Sequence, residues 1–237
     1  MKDGAPSFKL CGCLMEASSG GLPAILSHSG VDLVEWRLDS LIKDRGLKGA
    51  SELLSLLPSI PPIPMIATNR HKLDGGFFEG SDQERIGILE GAAEAGFHWI
   101  DLEERLDGDV YRRFQATGKR ILISHHDFTG TPPALELRGK LEKMARAKPD
   151  AIKIVTLAHA QEDNLRVLEL ISFGKRELGV DVIAFCMGPV GRWTRGVSLL
   201  LGSPWAYVRM ADQGEAAPGQ YTAGEMRALM DLLSEPA

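Results

Sequence analysis

Residues 120–157 read RILISHHDFTGTPPALELRGKLEKMARAKPDAIKIVTL. Two short β-rich runs, Arg120–His125 and Ala151–Thr156, flank an apolar stripe at helical spacing, Leu137, Leu141 and Met144. A strand, a helix and a second strand form one βα repeat, whose crossover sets neighbouring strands parallel.

The same rhythm extends in both directions. It predicts strands near Lys9–Met15, Val31–Arg37, Ile63–Asn69, Trp99–Glu103, Val182–Met187 and Trp205–Met210. Ser81 to Glu84 is a capping-box pattern opening a helix with Ile86, Leu89 and Ala93 on its apolar face and Gly96 as its stop. Leu165, Leu168 and Ile171 form a further stripe, with Gly174 behind it. Thr222 to Glu225 opens a last helix carrying Met226, Leu229 and Leu232–Leu233. Pro58 to Pro64 reads as a stiff loop entering the third strand. Eight predicted strands in 237 residues give about 30 residues per unit. A doubly wound sheet would gather its ligand groups near one switch point. Here polar residues end many strands, which favours a closed (β/α)8 TIM barrel over residues 1–237, a single domain.

Composition removes several function classes. Hydrophobic residues make up 44% and charged residues 25%, as in a folded chain. Lys and Arg number 27 against 32 Asp and Glu, a net charge of −5. That balance lacks the basic footprint of a nucleic-acid or anionic-membrane partner. The 3 cysteines, Cys11, Cys13 and Cys186, form no C-x-x-C pair, so neither a disulfide scaffold nor a zinc ribbon is expected. Cys11 and Cys13 lie in an apolar run and read as buried thiols. No run approaches the roughly 20 apolar residues of a membrane span. The start, MKDGAPSFKL, lacks a long apolar core, so a reducing cytoplasm is the expected compartment. G-x-G-x-x-G after a strand, the P-loop, H-E-x-x-H and G-x-S-x-G are all missing, which leaves nucleotide, zinc-protease and serine-hydrolase readings unsupported.

Strand alternation then sorts the polar residues. Glu35 and Arg37 share a face with Val31 and Leu33 and point together, either towards a barrel mouth or as a surface ion pair. His125 and His126 take opposite faces, so one of them meets a pocket as a proton carrier; otherwise both are core-edge residues bonded to backbone. Lys153 sits between Ile152 and Ile154, where burying an ammonium ion is costly. It is a Schiff-base nucleophile, or an edge-strand lysine that snorkels to water. Arg195, closing FCMGPVGRWTR, suits a carboxylate, and Gln220 ends EAAPGQ; the plain alternatives are a solvated arginine and an ordinary turn. Trp193, Trp205, Met144 and Met210 read as packing residues.

Taken in order, VEWRLD, TNR…DGG, SHHDF, DAIKIV, FCMG…R and APGQ resemble type I 3-dehydroquinate dehydratase from residue 31 to residue 220. The resemblance implies a (β/α)8 barrel, a homodimer, no metal and no organic cofactor. It implies dehydration of 3-dehydroquinate, a cyclic keto carboxylate, to 3-dehydroshikimate through an imine in the shikimate pathway. It places the imine at Lys153 and the general acid–base at His126, in accord with the alternation. The family's glutamate supporting that histidine falls on Asp74, one methylene shorter. Glu35, Arg37 and Arg70 match substrate-binding positions, Arg195 the carboxylate-binding arginine and Gln220 the closing-loop glutamine. Ala216 replaces that loop's serine, and Phe128 and Met187 match apolar lining. Two other functions remain open on the residues: another Schiff-base barrel lyase of the aldolase kind, and a catalytically silent barrel that binds a carboxylate.

Overall fold

Period-two alternation in the strands and helical spacing between them give every strand two apolar faces, one for helices and one for the interior. The computed structural model describes residues 8–16, 21–22, 26, 30–57, 62–210, 217 and 219–234. The strands are β1 (Leu10–Leu14), β2 (Leu33–Arg37), β3 (Met65–Thr68), β4 (Trp99–Glu103), β5 (Arg120–Asp127), β6 (Ala151–Leu157), β7 (Asp181–Met187) and β8 (Ala206–Arg209). The helices are α1 (Leu38–Leu54), α2 (Asp82–Ala95), α3 (Gly108–Ala116), α4 (Ala134–Ala145), α5 (Gln161–Phe173), α6 (Thr194–Leu200) and α7 (Ala223–Ser234). The 8-stranded sheet runs in the order β7-β6-β5-β4-β3-β2-β1-β8. Its ladders are parallel throughout. β7 and β8 are its edges, with no ladder between them among the described residues, so the expected closed barrel is a nearly closed one. No described helix is long and apolar enough to cross a membrane.

Two cores result. Outside the sheet, Trp36, Ile100, Leu102, Ile121, Ile152 and Ile154 meet Leu89, Phe114, Leu137, Leu141 and Ile171 from the helices. Inside it, Cys11, Leu33, Ile66, Trp99, Leu122, Ala151, Ile183 and Trp205 fill the floor beneath the C-terminal mouth. The predicted capping box opens α2, Ser81 and Glu84 exchanging side-chain and backbone hydrogen bonds, and Gly96 stops it at φ 112°.

Two expectations need correction. Leu165 is 63% exposed, and α5 instead buries Val167, Leu168, Leu170 and Ile171. Its rotation is set at its start, where buried Asn164 donates to the Val190 carbonyl at 2.9 Å. Gly174, behind that stripe, keeps right-handed angles, and Gly179 at φ 64° ends the turn beyond. A Cβ at Gly174 would meet Val182 Cγ2 at 2.3 Å, so close packing explains this glycine. In α7, Leu232 and Leu233 are exposed, and Met226 and Met230 carry the contact. Most of Pro58–Pro64 and the first seven positions lie outside the described residues.

Trp36 and Phe97 meet edge-on with centroids 5.5 Å apart, both fully buried between sheet and helices. Phe97→Ala should cost about 3–5 kcal/mol in urea unfolding, through lost transfer energy plus a cavity. Phe97→Leu should cost clearly less. A loss under about 1 kcal/mol for the alanine variant would contradict this packing.

Candidate active site

The buried polar groups on the inward faces lie in the middle and C-terminal parts of their strands. Lys153 projects inward from β6, which is flanked by β5 and β7, so the edge-strand reading fails. It is 6% exposed. Its Nζ lies 3.9 Å from Glu35 Oε1 and 3.7 Å from the centroid of the Tyr207 ring. Glu35 is itself held: Thr68 Oγ1 donates to Oε1 at 2.9 Å, and the Cys13 thiol approaches Oε2 at 3.6 Å.

Glu35 and Arg37 are both buried, which removes the surface-ion-pair alternative. Arg37 forks onto Asp39 at 2.9 and 2.7 Å. Asp39 also accepts from the Phe77 N–H at 3.0 Å, tying the end of β2 to the segment after β3. Arg70 donates to Asp101 at 2.5 Å and to Ser124 Oγ at 2.6 Å, and lies 3.3 Å from Glu103. Ser124 donates in turn to Asp101, and Glu103 pairs with fully buried Arg85. Burial disfavours the charged form of Asp101, but Arg70, Lys153 and Ser124 outweigh it and hold the carboxyl below its ordinary range.

The two histidines separate as alternation predicts. His126 lines the cavity, stacked on Phe128 with centroids 6.0 Å apart at 11°. Burial pushes its pKa well below the ordinary 6.5, and Arg70, Lys153 and Arg37 push the same way. His125 lies outside, with Nδ1 3.4 Å from Glu104. That hydrogen bond is the largest cause holding the Glu104 carboxyl at about 2.

Arg195 is 2% exposed and stacks over Phe185 at 4.5 Å. Gln220 is buried and donates to Cys13 Sγ at 3.4 Å. The Cys13 thiol is pushed up to about 12, first by burial and then by Glu35, so it stays an inert thiol. Asp74 reaches the lip of the cavity, but its carboxylate binds Arg105 at 2.9 Å and makes no hydrogen bond to His126. The expected support of His126 by Asp74 is therefore missing; the shorter side chain has found another partner.

Every site residue picked out from the sequence lines one cavity of about 190 Å³: Glu35, Arg37, Arg70, Asp74, His126, Phe128, Lys153, Met187, Arg195 and Gln220. Ala216 lies outside the described residues. Sequence reasoning missed Cys13, Phe185 and Tyr207 in the wall, and Asp101 and Ser124 beneath it. Alternation in WIDLE puts Asp101 and Glu103 on one inward face, which was the available signal.

The family model of type I 3-dehydroquinase matches residues 20–236. The 3-dehydroquinate dehydratase of Syntrophobacter fumaroxidans is 44% identical over 224 residues, covering 94% of this chain and 96% of the relative. That of Thermococcus gammatolerans is 33% identical over 226 residues, covering 94% and 98%. A crystal structure of type I 3-dehydroquinate dehydratase from Clostridium difficile, with covalently modified comenic acid, superposes with a TM-score of 0.84. Its identity is 24%, over 95% of this chain and 92% of that one, so this likeness is one of fold.

The depressed value of His126 has a sign that can be measured. Above its ordinary 6.5 the ring is neutral in both folded and unfolded chains and contributes nothing to the pH dependence. As pH falls below 6.5 the unfolded chain takes up the proton first, so this group makes the fold progressively less stable towards acid. Unfolding free energy should therefore fall less steeply below that pH in His126→Gln than in the parent chain. Parallel curves would contradict the assignment.

Proposed function

The chain belongs to the type I 3-dehydroquinase family, and from that premise we propose that it dehydrates 3-dehydroquinate to 3-dehydroshikimate through an imine on Lys153. The observation that carries this reading is the Lys153 amine, turned inward and enclosed with His126 and Arg195 in one cavity.

The amine of Lys153 attacks the ring ketone to give a carbinolamine, which loses water and leaves a protonated imine. That nitrogen draws electrons from the adjacent carbon and acidifies its C–H. His126 takes the proton and an enamine forms. The enamine pushes out the β-hydroxyl, and His126 returns its proton to the leaving oxygen, so the ring ends the step neutral. Water then hydrolyses the product imine and frees Lys153. A histidine held neutral by burial and surrounding cations is ready to act as a base before any substrate step.

The binding groups divide by how firmly they are held. Arg195 presents a planar fork suited to the substrate carboxylate, with its face against Phe185. Arg37 and Arg70 are spent on Asp39 and Asp101, so they act as fixed positive charges and oriented edges for ring hydroxyls. Glu35 accepts a hydroxyl beside the lysine, and Gln220 lies against the same wall, on Cys13. Phe128 and Met187 supply apolar surface. Shikimate-pathway work as a homodimer in the cytoplasm is carried over from the family likeness.

Borohydride added with 3-dehydroquinate should leave a stable mass increase on Lys153. An active preparation whose Lys153 stays unmodified would overturn the imine step. His126→Ala should still form the trapped adduct but lose about 10²–10⁴ in turnover. Near-normal turnover would remove His126 from its role.

A further inference from the structure

The lip of the cavity carries a carboxylate and an imidazole that do not meet. Asp74 Oδ2 accepts from Arg105 Nε at 2.9 Å. The other edge of the same guanidinium forks onto Asp82 at 2.9 and 3.1 Å. Asp82 opens α2 and also holds the fully buried Arg85 at 2.9 Å, so Arg105 rests on an anchored base. Nearby, His126 Nδ1 is buried with no hydrogen-bond partner among the described residues. A buried ring nitrogen left unpaired is unfavourable, and a carboxylate is its natural partner.

The turn carrying Asp74 is also in mechanical contact with the histidine. Gly75 sits at φ 75°, and a Cβ there would meet the Phe128 ring at 2.2 Å. Phe128 in turn stacks on His126. The turn is thus seated against the ring that backs the imidazole, while its carboxylate is drawn off to the side.

We propose that Arg105 is a positioning residue that holds the Asp74 carboxylate at the lip of the cavity, off His126, in the ligand-free protein. The inference builds on the reading of His126 as the proton carrier. Its physical consequence is that the imidazole lacks a directly bonded anion, which would otherwise stabilise its charged form. The other charged or titratable groups lining the cavity with His126 are Cys13 from β1, Glu35 and Arg37 from β2, Arg70 after β3, Lys153 from β6, Arg195 from α6 and Tyr207 from β8, with His125 beside it in the chain. None of them is bonded to Arg105, whose partners are Asp74 and Asp82. Removing Arg105 therefore changes the carboxylate that reaches the ring, plus a general loss of one cation.

The test is an NMR titration of His126 in the ligand-free chain, assigned with His126→Gln, alongside the acid limb of kcat/KM. Asp74→Asn alone should leave the His126 midpoint within about 0.3 of a pH unit of the parent. Arg105→Met should raise it by about one pH unit, and the acid limb should follow, because the freed carboxylate reaches the ring. The double variant Asp74→Asn/Arg105→Met should return it to within about 0.3, which subtracts the general loss of a cation. An unmoved midpoint in Arg105→Met overturns the proposal. So does a fall of about one pH unit in Asp74→Asn, or a rise that survives in the double variant. The titration needs no turnover, so its outcome is separate from that of the dehydratase reading, which fails if the parent chain leaves 3-dehydroquinate unchanged.

Discussion

An amine nitrogen buried inside a ring of parallel strands is the constraint on which the site depends. Lys153 has a carboxylate at 3.9 Å and an aromatic face at 3.7 Å, and it lines the cavity. Taking an ammonium ion out of water costs several kcal/mol unless charge and π-electrons compensate it. Glu35 and Tyr207 supply that compensation from β2 and β8, strands far from β6 in the sheet order. The barrel brings them together across its interior, which no local segment could do.

Below the cavity the compensation continues as alternating charge. Arg70 sits among Asp101, Glu103 and Ser124, and Glu103 is shared with Arg85. Removing one member of such a set leaves its partner buried and uncompensated, which is why these groups hold one another in place so firmly. The benefit is orientation: the guanidinium edges facing the cavity are set before a ligand arrives. Burial first, and then Arg70 with Lys153 and Arg37, holds the His126 pKa low, so binding and proton transfer draw on one arrangement of charge.

Much of this was legible before any coordinates. Period-two alternation placed Glu35 with Arg37 and set His125 and His126 on opposite faces, the family resemblance picked His126 of the two, and an apolar strand around a lysine marked Lys153. Those inferences hold because side-chain direction in a strand is a local property. What stayed hidden depends on which loop tips meet. Asp74 could be read as a cavity residue, but its partner Arg105 lies after β4 and joins it only through the packing of α2. Cys13 was read correctly as buried, yet its contact with Gln220, from the far end of the chain, follows from the β1–β8 pairing. Leu165 was misplaced because Asn164, a polar residue, sets the rotation of α5.

The central claim is that the ketone condenses with Lys153, and the oxygen atoms report on it directly. Imine formation releases the substrate's ketone oxygen as water, and hydrolysis returns an oxygen from solvent. Turnover in ¹⁸O-labelled water, with product mass read at early times, should show one labelled ketone oxygen per product molecule, above the rate of exchange without protein. Product that keeps its original ketone oxygen would contradict the account.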